Sequence, residues 1–321
     1  MKTAKKKIVV ININPKIYDK SFFKRIKNNK NAQIIITKDD RSEVLRNISG
    51  ANALINCSSK IFDKEIFLRA KKLKWLHSGS AGIEKYLFKE FRESGTLFTN
   101  GRILQGPEIA DHALGLILTF SRNLHLYIKK QKVKNRPIEL RGKKCAIFGS
   151  GGIGYCIAER LHSCGMIVET FTDELHALNS FVSKTHVYED LKKKISEYEV
   201  VVIASPATDN SKDFFNYNLF KKMQKDSILI NVSRGNIIKT NDLLKNNIFK
   251  KFKGIGLDVT NPEPLKKSHV FYKQNNIILT NHSAGLSDNN RKRSRDLVEL
   301  NIKRFLNNEN LLNLVNKQKG Y

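Results

Sequence analysis

Three apolar, β-type runs each end in residues able to do chemistry. Ile277-Ile278-Leu279-Thr280 leads into Asn281-His282-Ser283-Ala284-Gly285, Ile228–Val232 into Ser233-Arg234-Gly235, and Gly256-Leu257-Asp258-Val259 into Asn261-Pro262-Glu263-Pro264. In doubly wound sheets, ligands bind outside the carboxyl ends of the strands, so these positions are where a reacting group would be met. A guanidinium such as that of Arg234 can grip a carboxylate with two parallel hydrogen bonds. An imidazole such as that of His282 can exchange a proton with a carbonyl or hydroxyl near neutral pH. A carboxylate nearby, such as that of Glu263, would favour the protonated ring and keep a proton available for carbonyl reduction. Taken singly, each has a plainer reading: a surface charge for Arg234, a capping or core residue for His282, a turn residue for Glu263, and a strand-end cap for Asp258.

A fourth stretch would hold a cofactor. Cys145-Ala146-Ile147-Phe148 reads as a buried strand, Gly149-Ser150-Gly151-Gly152-Ile153-Gly154 as a turn, and Tyr155–Cys164 as a helix, followed by a strand from Met166. This is the setting in which G-x-G-x-x-G binds a dinucleotide. Gly149 permits the turn, Gly151 lets a pyrophosphate approach, and Gly154 lets helix and strand pack closely. The first N–H groups of the helix face the phosphates.

The elements needed to position these residues follow one alternating pattern. Strands are expected at Ile8–Ile13, Gln33–Thr37, Ala53–Asn56, Leu73–His77 and Leu97–Thr99, with helices at Phe22–Lys27, Glu43–Ile48 and Lys64–Lys71 between them. Glu108–Arg122 is a helix so apolar that it must lie between layers or at a subunit contact. Beyond the glycine turn, strands are expected at Val200–Ala204, Ile228–Val232, Gly254–Val259 and Ile277–Thr280. Helices are expected at Tyr217–Lys222, Asn241–Asn246 and Asp288–Leu306. Strands alternating with helices imply parallel sheets covered on both faces. At 321 residues two domains are expected. Residues 104–285 form a cofactor unit, and residues 1–103 form another to which the last helix in 286–321 returns. The polar tail Asn307–Tyr321 reads as loose.

Composition narrows the partners. The chain carries 58 Lys and Arg against 30 Asp and Glu, a net charge of +28. The basic residues are spread along the whole chain and show no RNA-recognition, zinc-finger or basic-zipper pattern, which favours a solvated basic surface over a nucleic-acid site. Such a field would steer a small anion inward. No apolar run approaches the ~20 residues that span a bilayer, and Ile8–Ile13 reads as a strand rather than a leader core. The cysteines Cys57, Cys145, Cys156 and Cys164 form no C-x-x-C pair, so small buried thiols in a reducing cytoplasm are expected and no metal site.

The sequence closely resembles the D-isomer-specific 2-hydroxyacid dehydrogenase family. The resemblance rests on Ala81-Gly82-Ile83-Glu84, on Glu108-Ile109-Ala110-Asp111-His112-Ala113-Leu114-Gly115-Leu116, and on the glycine turn. Pro206-Ala207-Thr208, Asn231–Gly235, Gly256–Val259 with Pro262-Glu263-Pro264-Leu265, and Asn281–Gly285 complete it, in the family's order and spacing. It implies an α/β fold of two doubly wound parallel-sheet domains, one a Rossmann NAD domain and the other a flavodoxin-like substrate domain, with the site in a cleft between them. Arg234 would hold the substrate carboxylate, His282 would be the acid/base and Glu263 would orient and tune it. Backbone N–H groups at Ala81 and Gly82 would bind the same carboxylate. The cofactor would be met by Gly149, Gly151, Gly152, Ile153, Gly154, Thr172, Asp173, Pro206, Thr208, Val232, Ser233, Arg234, Asp258, His282, Ala284 and Gly285, with Asp258 at the nicotinamide carboxamide.

The expected activity is hydride transfer between NAD(P)H and a small D-2-hydroxy acid or 2-keto acid, of glyoxylate/hydroxypyruvate or 3-phosphoglycerate type, by a cytoplasmic homodimer. Formate dehydrogenase shares the fold but has Gln where Glu263 stands. The family's corepressors, which use the scaffold as an NAD(H)-sensing interaction module, remain the alternative. Two departures stand out. Thr172 occupies the place of the usual ribose-binding acid, with Asp173 next. A Thr there occurs in NADP-preferring relatives, but no Arg follows to pair a 2′-phosphate and Asp173-Glu174 would repel one, which points to NAD. Asp111 replaces the usual Glu in the early helix.

Overall fold

The computed structural model describes residues 5–102, 104–133, 135–173 and 180–320. It divides into two compact units: one runs to Leu104 and resumes at Ser287, and the other spans Gln105–Leu286.

In the first unit, β1 (Lys6–Asn12), β2 (Ala32–Lys38), β3 (Ala53–Ile55), β4 (Trp75–His77) and β5 (Leu97–Thr99) form a parallel sheet of order β2-β1-β3-β4-β5. This is the flavodoxin-like order. Helices between the strands begin where an aspartate can cap them. Asp19 accepts from Phe22 N at 2.8 Å, Asp40 from Glu43 N at 3.0 Å, and Asp63 from Ile66 N at 3.0 Å. Val9, Ile11, Leu54 and Leu76 face one apolar layer and Ile8, Val10, Ile55 and Trp75 the other, as alternation in a sheet covered on both faces requires. The final helix, Asn290–Leu306, adds Val298, Ile302 and Phe305 to the second layer.

The tail expected to be loose is tied down. Asn301, fully buried, brackets Leu312 with both side-chain atoms (3.0 and 2.9 Å), and Val315 N donates to Phe98 O at 2.8 Å. Lys317 Nζ donates to the carbonyls of Phe91 (2.8 Å) and Ser94 (2.7 Å). These are partners distant in sequence, which a reading of local polarity misses.

In the second unit, β6 (Lys144–Phe148), β7 (Ile167–Thr172), β8 (Lys184–Val187), β9 (Val200–Ile203), β10 (Ile228–Asn231), β11 (Gly254–Leu257) and β12 (Ile277–Leu279) form a parallel sheet. Its order is β12-β11-β10-β9-β6-β7-β8. The direction of winding reverses between β6 and β9, which makes the crevice at their carboxyl ends the expected ligand position.

The apolar helix Gly106–Ser121 starts with Pro107 in its first turn and lies on β10 and β11. A Cβ on Gly254 would come 2.0 Å from the Phe120 ring, and one on Gly256 would come 2.9 Å from Ile230 and 3.0 Å from Leu116. The Gly-Ile-Gly strand is therefore what lets the helix sit flush. The helix's apolarity is accounted for by this packing within the chain. Exposed apolar residues instead cluster on the short helix Leu124–Ile128, at Leu124, Tyr127 and Ile128. Among the described residues no helix is long and apolar enough to cross a membrane.

Candidate active site

The residues singled out in the second unit lie along one edge of its sheet. Going from β12 to β7, the carboxyl ends lead to His282, Asp258 with Glu263, Val232–Arg234, Pro206 with Thr208, the Gly149–Gly154 turn, and Thr172 with Asp173. Three neighbouring strands, β10, β11 and β12, thus carry Arg234, Glu263 and His282 at their ends.

His282 and Glu263 meet directly, Nδ1 to Oε1 at 2.7 Å, with side chains 52% and 41% exposed. A carboxylate only accepts, so Nδ1 carries a proton and donates it, and Nε2 is the nitrogen left for a substrate. Glu263 is held between Pro262 and Pro264, and its other oxygen accepts from Thr260 N at 3.4 Å.

Arg234 is presented by a turn that Asn231 folds. The Asn231 amide donates to Arg234 O at 2.9 Å, and its carbonyl accepts from Ser233 N and Oγ, both at 3.1 Å. Arg234 Nη1 donates to Ser233 O at 2.8 Å. Gly235 follows because a Cβ there would stand 2.0 Å from Thr260 O. No larger residue lets the Arg234 turn lie against the turn that carries Glu263.

Asp258 has a task that the sequence does not reveal. It is 2% exposed, and three successive N–H groups bond to it: His282 N to its carbonyl (2.9 Å), Ser283 N to Oδ1 (2.9 Å) and Ala284 N to Oδ2 (3.1 Å). Thr280 Oγ1 donates to Oδ1 at 2.5 Å. The chain is wrapped around this carboxylate, and His282 sits at φ +51°, a left-handed conformation costing a non-glycine residue roughly 1 kcal/mol. Oδ1 takes two donors and Oδ2 one, so the carboxylate anchors this loop and Oδ2 keeps acceptor capacity. His112 bonds Thr280 Oγ1 through Nε2 at 3.1 Å, while Asp111, its neighbour in sequence, pairs with Arg160 at 3.1 Å.

The glycine turn fits a dinucleotide. Gly149 has φ +115° and a Cβ there would lie 2.6 Å from Ser205 N; a Cβ on Gly154 would lie 2.0 Å from Gly149 O. Both positions admit only glycine. At Gly151 a Cβ would meet nothing within 4 Å, which leaves open space over the turn. Ser150 Oγ is buried with no hydrogen-bond partner among the described residues, and the helix Gly152–Ser163 has no side-chain cap. Unsatisfied donors converging on open space are what a pyrophosphate requires.

Ile153 packs into the core beneath, and Val232, Ser233 and Ala284 are almost fully buried. The Pro206–Thr208 loop is fixed by Ser211, whose hydroxyl donates to Pro206 O at 2.7 Å and accepts from Thr208 N at 2.8 Å. Gly285 O accepts from Gln105 Nε2 at 3.3 Å. Thr172, the last residue of β7, is buried, and Asp173 beyond it is exposed. Glu174 lies outside the described residues.

In the first unit, the loop after β4 carries Ala81 and Gly82. Gly101 N donates to Ser80 O (3.2 Å), Asn100 Nδ2 to Ala81 O (2.8 Å) and Ser80 Oγ to Gly82 O (3.1 Å). With these carbonyls taken, the N–H groups of Ala81 and Gly82 donate to nothing among the described residues. They are free to bind an anion.

The loop is anchored by Tyr86, whose hydroxyl donates to Cys57 O at 2.8 Å and contacts Ser78 Oγ at 2.9 Å. Burial pushes the Tyr86 phenol up to about 12 and the nearby His77 imidazole down to about 4, so both are neutral at physiological pH. The sequence gives no functional signal at Tyr86, which falls in no periodic or glycine-rich pattern, and marks Thr280 only as the end of a strand.

Residues 114–284 match the family model described as D-isomer specific 2-hydroxyacid dehydrogenase, NAD binding domain. The chain is 28% identical over 296 residues to a glyoxylate reductase of Pyrococcus horikoshii, covering 87% of this chain and 86% of that protein. Among solved structures it resembles a D-isomer specific 2-hydroxyacid dehydrogenase of Xanthobacter autotrophicus in complex with NADPH, at TM-score 0.83 and 18% identity over 99% of this chain and 100% of that one. It also resembles an NADPH-dependent glyoxylate/hydroxypyruvate reductase of Sinorhizobium meliloti, at TM-score 0.80 and 22% identity over 99% and 100% of the two chains. At these identities the two structural likenesses are likenesses of fold.

Proposed function

Because the chain belongs to the D-isomer specific 2-hydroxyacid dehydrogenase family, and so is an NAD(P)-dependent hydroxyacid oxidoreductase, we propose that it reduces a small 2-keto acid of the glyoxylate or hydroxypyruvate type. The observation that carries this reading is the His282–Glu263 pair, set with Arg234 on neighbouring strand ends of the sheet whose glycine turn fits a dinucleotide. The Gly149–Gly154 turn would hold the dinucleotide, which when bound would supply a hydride to the substrate C2. Arg234 binds the substrate carboxylate. His282 Nε2 donates a proton to the C2 oxygen as the carbonyl π bond breaks, and takes it back in the reverse direction. Glu263 holds the ring through Nδ1, so that Nε2 is the reacting nitrogen throughout.

The exposed Asp173 just past β7 suits the two ribose hydroxyls of NAD and repels a 2′-phosphate. NADH is therefore expected to bind at least about tenfold more tightly than NADPH, a ratio of roughly 1.4 kcal/mol. Following nicotinamide absorbance with glyoxylate, hydroxypyruvate, pyruvate and phosphohydroxypyruvate, each with NADH and with NADPH, tests substrate class and cofactor together. Turnover of none of them, with cofactor still bound, would favour an NAD(H)-sensing interaction module instead. A homodimer is the proposed assembly, with Leu124, Tyr127 and Ile128 in the interface. Sedimentation should report twice the chain mass and return the monomer for Ile128→Lys; a monomeric wild type removes this assignment.

A further inference from the structure

The His282 loop is held by a chain of hydrogen bonds whose direction is fixed by proton counting. Asp258 is a carboxylate and can only accept. Thr280 has one hydroxyl proton and gives it to Asp258 Oδ1 at 2.5 Å. Its oxygen must then accept from His112 Nε2 at 3.1 Å, which makes Nε2 the protonated nitrogen of that ring. The chain runs from His112 through Thr280 to Asp258, and Asp258 in turn collects the backbone N–H groups of His282, Ser283 and Ala284. His112 Nε2 also stands 3.8 Å from Asp258 Oδ1. Its side chain is 23% exposed, on the helix that lies along β10 and β11.

We infer that His112 is a positioning residue for the hydroxyacid oxidoreduction, acting on His282 through Thr280 and Asp258. The inference rests on the acid/base role proposed for His282 and adds the reason its ring stays in place. His282 is in a left-handed backbone conformation, with its own N–H on the Asp258 main-chain carbonyl and the next two N–H groups on the Asp258 carboxylate. A carboxylate short of one donor rotates to find another, and the N–H bonds to Ser283 and Ala284 are lost with it. His112 keeps Thr280 pointing its proton at Asp258. It touches no reacting atom.

The test is steady-state kinetics of the full-length enzyme with its best keto acid and NADH, for His112→Phe and His112→Gln. Phe fills the volume and removes the donor, and kcat should fall about tenfold, in the range of one lost hydrogen bond to a charged network. KM for the keto acid and Kd for NADH should stay within about twofold, because neither the carboxylate site nor the glycine turn is altered. Gln carries a donor of similar reach and should restore kcat to within about threefold of wild type.

Unchanged kcat in His112→Phe overturns the inference. So does an equal loss in both variants, which would mean that only the shape of the ring matters, and so does a loss confined to NADH binding. If His112→Phe fails to fold, Thr280→Val cuts the same chain at its middle, and wild-type kcat in that variant overturns the inference equally. Failure of the underlying reading looks different: His282→Ala would then stay active whatever His112 does.

Discussion

Replacing His282 with alanine is expected to lower kcat by about 10² to 10⁴ in both directions, the range for loss of a positioned general acid/base. Binding of NADH, measured by fluorescence titration, should change little. The glycine turn is on β6 and His282 follows β12, with β11, β10 and β9 between them in the sheet. Stability should also be nearly unaffected. The His282–Glu263 pair is about half exposed on both sides, and exposed ion pairs contribute at most about 1 kcal/mol.

Alanine is less at ease than histidine at φ +51°, so the variant carries some added backbone strain. His282→Asn is the control for this, since Asn tolerates the left-handed region and has no acid group that titrates near neutrality. Both variants should be inactive while remaining folded. If either turns over keto acid at the wild-type rate, His282 has no part in proton transfer.

The second large effect belongs to Arg234. Its guanidinium is expected to bind the substrate carboxylate bidentately, and removing one partner of such a pair costs roughly 2–5 kcal/mol. Arg234→Ala should therefore lower kcat/KM by about a hundredfold to a thousandfold, most of it through KM for the keto acid. Arg234→Lys should recover only part of the loss, because an ammonium cannot offer two parallel N–H donors to a planar carboxylate. The turn should survive the substitution, since the three Asn231 bonds that fold it remain and only the guanidinium bond to Ser233 O is lost from those described. Wild-type KM in Arg234→Ala would place carboxylate recognition elsewhere.

The elements that escaped the sequence reading were those whose pattern is weak for a physical reason. The strand Lys184-Thr185-His186-Val187 lies at the sheet edge, where one neighbour and partial exposure replace the buried apolar run of a central strand. The helix Tyr188–Lys194 follows it directly and carries three lysines in its last turn, so it too shows little apolar periodicity. By contrast Val200–Ile203 and Ile228–Asn231 are buried at every position and were plain.

What the amino-acid order determined by itself was whatever depends on neighbours along the chain. Apolar runs set the strands, aspartates with free helix N–H groups set the helix starts, and the Gly149–Gly154 spacing set a turn that only glycine can make. The residues just past β10, β11 and β12 were candidates for the same reason: a parallel sheet puts such positions at one edge. Tertiary packing alone decided which side chains meet. The Glu263–His282 contact spans 19 residues, Thr280 to Asp258 spans 22, and His112 to Thr280 spans 168. A hydrogen bond needs its atoms within about 3 Å in a set direction, and no periodicity encodes a distance across that much chain. In the sequence Asp258 therefore stands out only as a strand-end cap or a cofactor contact, and folding adds that its carboxylate anchors the His282 loop.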